Sequence, residues 1–319
     1  MTITLTPAKQ RRPGPRAAAD DSPLDLSMLP AARDWKRFAA FCEHFLTHPN
    51  GEPIKLKPYQ QEIAKGILPV RGGRPAMGLL SIARGQAKTE IASWLACYCL
   101  FADGIQSPEV LVIASSLEQA QRQIFRRVVG HIERNPELLK RSRISRDSIS
   151  TPWNSGALVA LASTEASLQG WNHSAGFLDE LHVVDSVVWE RVVTASLKRT
   201  DSLTLAISTP PSNPQSIMKE LADKAKSEPD KNFFYREWTS DLDHDPLCAH
   251  CVRQARPLTG GVKGELSRLA SLLRKVPEGT YRRLMLGQWD TPTDEQWLSL
   301  AQLDPLRVDR VLEPGERVI

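Results

Sequence analysis

Long hydrophobic runs are missing from this sequence. None reaches the roughly 18 residues that a membrane helix needs, so no membrane span is expected. The N-terminus also lacks a compact apolar stretch ahead of a small-residue cleavage site, so no secretory signal is expected. Cysteine is scarce, five in 319 residues, which argues against a disulfide scaffold and makes the cytosol the expected compartment. A large excess of one charge is absent too. Forty-one Lys and Arg against 37 Asp and Glu leave +4, a balance that does not by itself require a nucleic-acid partner. No internal repeat is visible.

What is present is a sizeable apolar fraction, 41%, arranged in alternating patterns. Residues 1–30 are rich in Pro, Arg and Asp and read as a mobile N-terminal arm. Residues 31–46 carry Trp35, Phe38, Phe41, Cys42 and Phe45, the spacing of one apolar helix face. Pro58 suits the first turn of a helix running through YQQEIAKGIL. Short apolar runs at 76–82, 109–115, 157–161, 175–178 and 203–208 read as buried strands, with 232–238 as a last one. Helix patterns at 89–100, 117–135 and 189–199 fall between them. This alternation predicts an α/β fold, a sheet covered by helices on both faces. Beyond 240 the sequence reads as a loop rich in Asp, Pro and His, then helices near 264–274 and 279–286, with a charged linker over 306–319.

The stretch SIARGQAKTE, Ser81–Glu90, joins a strand to a helix and ends its loop in Lys88-Thr89. A phosphate loop turns backbone N–H groups toward phosphate oxygens at a helix N-terminus. Its usual pattern is G-x-x-x-x-G-K-[ST], but here Ile82 and Ala87 stand at the two glycine positions. Gly85 supplies one permissive position, and Ile82 reads as the end of the strand. Alone, the match is weak. Ninety residues on, SAGFLDELH closes an apolar run with Asp179-Glu180. A strand end is where a phosphate-loop enzyme needs one carboxylate near Mg²⁺ and another near water. Tyr59 and Gln60 in LKPYQ fit an adenine contact by stacking and amide hydrogen bonds, and a core position for Tyr59 fits equally well. Ser208 and Thr209 end the next strand, where hydroxyls fit the sensing of a γ-phosphate, and a plain strand end fits equally well.

Taken together, these segments resemble the large terminase subunits of bacteriophages, the motors that package viral DNA. SLQGWNHSAGFLDELH (Ser167–His182) is similar to the family's Walker B region, IARGQAKT to its variant Walker A with an early Arg84, and LKPYQ to its adenine stretch. AISTP resembles the coupling motif, and YRRLMLGQWDTPTDEQWL (Tyr281–Leu298) the segment closing the ATPase half. The resemblance implies a P-loop NTPase of the ASCE type with a mostly parallel central sheet. It implies ATP and Mg²⁺ as ligands. Arg84, Gly85, Gln86, Ala87, Lys88 and Thr89 would cradle phosphates, Thr89 and Asp179 would hold Mg²⁺, and Glu180 would activate water. It implies a ring, normally a pentamer, docked on a portal, with double-stranded DNA and a small terminase subunit as partners. The place of action would be the host cytoplasm and, transiently, the procapsid portal. A neighbouring subunit would supply an arginine finger, for which Arg143 and Arg146 are candidates, with Arg126 and Arg127 behind them. Expected units are an arm (1–30), an ATPase core (31–240), a helical closing subdomain (241–305) and a linker (306–319) toward a nuclease domain that the chain is expected to lack. No endonuclease activity is therefore expected.

Two rival functions remain open on sequence: a helicase-like translocase, and a DNA-binding or scaffolding module that does not hydrolyse ATP. Ile82 and Ala87 favour the second, and the joint presence of Lys88, Thr89, Asp179 and Glu180 opposes it. Outside these motifs, His244, Cys248, His250 and Cys251 offer four metal-ligating side chains within eight residues. No second CxxC accompanies them, so the expectation is a surface loop with metal-free cysteines. Cys42, Cys97 and Cys99 read as core.

Overall fold

The computed structural model describes residues 19–71, 73–164, 170–196 and 199–289. The apolar runs form one sheet of strands β1 (Met77–Ser81), β2 (Glu109–Ala114), β3 (Arg143–Ile144), β4 (Ser148–Thr151), β5 (Gly156–Ala162), β6 (Ala175–Asp179), β7 (Leu203–Ser208) and β8 (Phe233–Glu237). The order across the sheet is β3-β4-β5-β2-β6-β7-β1-β8. From β5 to β8 every pairing is parallel, and β3 and β4 extend the β5 edge antiparallel.

Side chains alternate across a strand, and here both faces are apolar. In β2, Val110, Val112 and Ala114 join one buried cluster, whereas Leu111 and Ile113 join a second on the opposite face. The first cluster is covered by helices Trp35–Phe45, Pro58–Ile67, Lys88–Phe101 and Arg126–Arg134. The second is covered by Ser186–Ser196 and Ile217–Ser227. The first helix starts where Asp34 accepts the N–H groups of Lys36 and Arg37, a cap worth about 1 kcal/mol. Its expected stripe, Phe38, Phe41, Cys42 and Phe45, is buried. A third cluster, Val252, Ala255, Leu269, Tyr281 and Leu286, holds together helices Ala249–Ala255, Glu265–Leu273 and Glu278–Leu286. No described helix is long and apolar enough to cross a membrane.

Several expectations need correction. Residues 1–18 of the expected mobile arm lie outside the described residues, and from Ala19 onward the arm is packed. Leu24 and Leu29 are buried, Asp20 N–H donates to the Lys140 carbonyl, and the Arg141 guanidinium donates to the Ser22 and Pro23 carbonyls. The single helix expected over 117–135 is Leu117–Ala120, a π turn at Gln121–Phe125, and Arg126–Arg134. The polar hairpin of β3 and β4 was hidden because edge strands need little apolar sequence. Helix Ile217–Ser227, capped by Ser216, and helix Ala249–Ala255 are additional to the expected elements. The expected linker, and residues 290–298 of the closing segment, lie outside the described residues.

Candidate functional site

The loop from Ile82 to Ala87 rises from the C-terminal end of β1, where open α/β sheets bind ligands. Ile82 is buried and donates its N–H to the Ser208 carbonyl at 3.0 Å, so it belongs to the strand end and not to the turn. The turn is made by Gly85, φ +78°, and Ala87, φ +54°. Ala87 thus sits in the left-handed conformation that favours glycine, at a cost of about 1–2 kcal/mol. Ala87 is also the N-cap of helix Lys88–Phe101, and no side chain caps that end. The first-turn N–H groups of a helix have no intrahelical acceptor, so they face a cavity of about 800 Å³ lined in part by Arg84, Lys88, Thr89, Arg127, Glu180 and His182. An anion is the natural occupant of such an end.

Across this cavity stands the end of β6. Asp179 is 1% exposed, and the Thr89 hydroxyl donates to its Oδ2 at 3.4 Å. Burial, reinforced by the neighbouring Glu180, raises the Asp179 pKa to about 6 against the partial relief of Lys88. Its Oδ1 is buried without a hydrogen-bond partner. Glu180 follows with φ +59°, a left-handed backbone that turns its side chain back toward the loop. Lys88 Nζ lies 2.8 Å from Glu180 Oε1, and His182 Nδ1 lies 3.1 Å from Oε2. Burial would raise the Glu180 pKa, but the His182 hydrogen bond and the Lys88 ammonium outweigh it and hold the pKa near 2. His182 Nδ1 is also 2.9 Å from Ser208 Oγ, whose own proton goes to the Thr209 carbonyl. Both neighbours of Nδ1 are then acceptors, which assigns the hydrogen to Nδ1.

The geometry is that of a phosphate-loop nucleotide site, and the comparisons with known proteins name its kind. Residues 59–227 match the family model described as terminase large subunit, ATPase domain. The chain belongs to this family. Among solved structures it is similar to the large terminase of bacteriophage HK97, with a TM-score of 0.72 and 24% identity over 80% of this chain and 55% of that one. It is also similar to a mutant ATPase domain of the Thermus phage P74-26 large terminase, with a TM-score of 0.53 and 18% identity over 74% of this chain and 94% of that one. A large terminase from a thermophilic bacteriophage, solved in complex with ADP, gives a TM-score of 0.51 and 13% identity over 67% of this chain and 48% of that one. No curated protein matches by sequence. These likenesses confirm the expected α/β P-loop fold. The chain thus spans about half the length of the HK97 terminase.

In this terminase ATPase domain the remaining expected residues take definite places. Gln86 is buried. Its amide donates to Thr259 Oγ1 and accepts from Leu258 N–H, tying the loop to the third cluster's side of the molecule. Tyr59 and Gln60, read as adenine contacts, are 5% and 2% exposed and do not line the cavity. The Tyr59 hydroxyl donates to the Gln86 carbonyl at 2.8 Å, and Gln60 donates to that hydroxyl. Both hold the loop from behind. Ser208 and Thr209 are fully buried, and Ser208 reaches Glu180 through His182. Arg84 and Arg127 line the cavity, with Arg127 Nε donating to Glu90 at 2.7 Å. Arg143 and Arg146 are exposed on the β3 edge, four strand spacings or roughly 19 Å from β6. They cannot serve the site of their own chain.

Sequence reading missed three residues. Arg256, 2% exposed, donates to the Arg84 and Met285 carbonyls at 3.1 Å and pairs with Glu265 at 2.9 Å. Arg283 donates to the Pro210 carbonyl beyond the Ser208–Thr209 strand end. Nothing local in the sequence marks either one, because each reaches a loop far away in the chain. His182 carried a signal, as it stands two residues after Glu180 in DELH.

Proposed function

We propose that this chain binds Mg-ATP and hydrolyses it, and that the hydrolysis drives double-stranded viral DNA into a procapsid. One observation carries this reading: an uncapped helix N-terminus bearing Lys88 and Thr89 meets Asp179 and Glu180 in one cavity, with Lys88 Nζ 2.8 Å from Glu180. The loop N–H groups and Lys88 bind the phosphates. Thr89 and Asp179 hold Mg²⁺, and the buried, unpartnered Asp179 Oδ1 fits a ligand role. When bound, Mg²⁺ neutralises charge on the transferring phosphoryl group.

Lys88 cannot serve phosphates and Glu180 fully at once. As Lys88 turns to the phosphates, Glu180 loses part of what holds its pKa near 2 and becomes a stronger base for the attacking water. His182 keeps the carboxylate aimed and links it to Ser208. Loss of the γ-phosphate is thereby felt at the β7 end and passed on past Thr209. Tyr59 and Gln60 act as positioning residues for Gln86 and the loop.

The working assembly is a ring, a pentamer on the portal, acting with the small terminase subunit in the host cytoplasm. In the ring, Arg143 or Arg146 is offered to a neighbour's site. ATP turnover unchanged in both Arg143→Ala and Arg146→Ala at ring-forming concentration would remove them as fingers. Arg122, Arg126, Arg127 and Arg134 line a groove of about 530 Å³ beside the site and suit DNA phosphates, giving binding indifferent to base sequence and steeply weakened by salt. No endonuclease activity is proposed for these 319 residues, and robust Mn²⁺-dependent nicking of plasmid would overturn that.

The deciding assay is ATP hydrolysis at high protein concentration, with and without linear duplex DNA. Wild type should turn over faster as concentration rises. Glu180→Gln should lose at least about 100-fold in rate while keeping ATP binding. Equal rates in the two proteins would refute Glu180 as base. Failure of wild type to bind ATP would favour the non-hydrolysing module.

A further inference from the structure

The stretch expected to be a loop with metal-free cysteines has a built geometry. Cys248 is the N-cap of helix Ala249–Ala255, and Cys251 lies on its first turn, buried. His244 comes back over that turn, with Nδ1 3.1 Å from Cys251 Sγ. His250 faces it, the two imidazole centroids 6.4 Å apart. One ligand atom from each of His244, Cys248, His250 and Cys251 lies within 4.8 Å of every other.

The backbone that presents His244 is held from outside the cluster. Arg282 donates to the Leu242 carbonyl at 3.2 Å and to the His244 carbonyl at 3.0 Å, and Tyr281 donates to the Pro246 carbonyl. Asp245 closes the turn by accepting the N–H groups of Leu247 and Cys248. The arrangement is thus anchored to helix Glu278–Leu286 and is not a free tail.

We propose that His244, Cys248, His250 and Cys251 bind one Zn²⁺ in a tetrahedral site. Zn–S of about 2.3 Å and Zn–N of about 2.0 Å place neighbouring ligands roughly 3.3–3.8 Å apart, so the widest pair must close by about 1 Å. His244 and His250 are exposed and can turn to do so, and they leave a path for the ion. Two thiolates and two neutral imidazoles favour a borderline-soft ion over Mg²⁺ or Ca²⁺. Two thiolates balance the ion's charge. Binding releases the protons of whichever thiols are still protonated. Asp241, Asp243 and Asp245 add negative charge nearby. The site would staple the 241–248 loop to the helix whose C-cap is Arg256, the residue holding the Arg84 carbonyl.

The test uses the full chain, stripped by chelation and reloaded. One equivalent of Co²⁺ should give the intense ligand-field bands of a tetrahedral site and a thiolate charge-transfer band, both displaced by Zn²⁺. Cys248→Ser/Cys251→Ser should lose both signals. Because that variant is open to folding defects, thiol alkylation of wild type is the second readout. Zn²⁺ should slow labelling of Cys248 and Cys251 at least tenfold, and Mg²⁺ should not. Octahedral Co²⁺ bands, binding retained by the double variant, or equal labelling with and without Zn²⁺ would each overturn the proposal. So would a Cys248–Cys251 disulfide in the freshly purified protein.

Discussion

Replacing Asp179 with Asn should stabilise the nucleotide-free protein. Asp179 is 1% exposed, and its pKa rises from the ordinary 3.8 to about 6 through burial and the Glu180 charge. The folded state therefore holds the proton more tightly than the unfolded chain. Stability falls as pH rises from about 4 through about 6, and above that the full cost of ionisation is present. At about 1.4 kcal/mol per pH unit, that cost is about 3 kcal/mol at neutral pH. An amide resembles the protonated acid in shape and charge and avoids the cost. In urea melts without nucleotide or Mg²⁺, Asp179→Asn should gain up to about 3 kcal/mol over wild type at about pH 7.5, and only about half a kcal/mol at about pH 4. The same variant should lose Mg²⁺-dependent ATP binding, an exchange of function for stability common at active sites. A variant less stable than wild type at neutral pH would refute the reasoning. So would a gain independent of pH, because it would place the stabilisation elsewhere than in the buried charge.

Ala87→Gly should relieve the left-handed strain at the loop, raising stability by about 1 kcal/mol in thermal melts without weakening ATP binding. A loss of stability would mean that the methyl group makes contacts worth more than the strain. Arg256→Ala should cost about 3 kcal/mol in urea unfolding, because it leaves Glu265 buried without its Arg256 partner and frees the Arg84 carbonyl. It should also weaken ATP binding measured by fluorescence of a labelled analogue. Unchanged binding would separate the Arg256 contact from loop geometry.

The sheet was legible because parallel strands buried on both faces must be written as short apolar runs, and five of these stand plainly between helix patterns. Lys88, Thr89, Asp179 and Glu180 were legible for a related reason: the chemistry needs fixed residue types at a strand end and a helix start. The amphipathic stripe of Phe38, Phe41, Cys42 and Phe45 fixed its helix by spacing alone. What the sequence could not specify was which partner each polar group would find. Tyr59 and Gln60 had the right chemistry for a base, but burial turned Tyr59 onto the Gln86 carbonyl and Gln60 onto the Tyr59 hydroxyl instead. Arg256 reaches the phosphate loop across 172 residues, and no local pattern encodes such a contact. Arg143 and Arg146 stand ahead of Arg127 as finger candidates on sequence, and only strand order put them at the far edge. His244 and the CxxC pair carried metal chemistry in their side chains. Their convergence depended on Arg282 and Tyr281 holding the loop, and that anchoring exists only in the folded molecule.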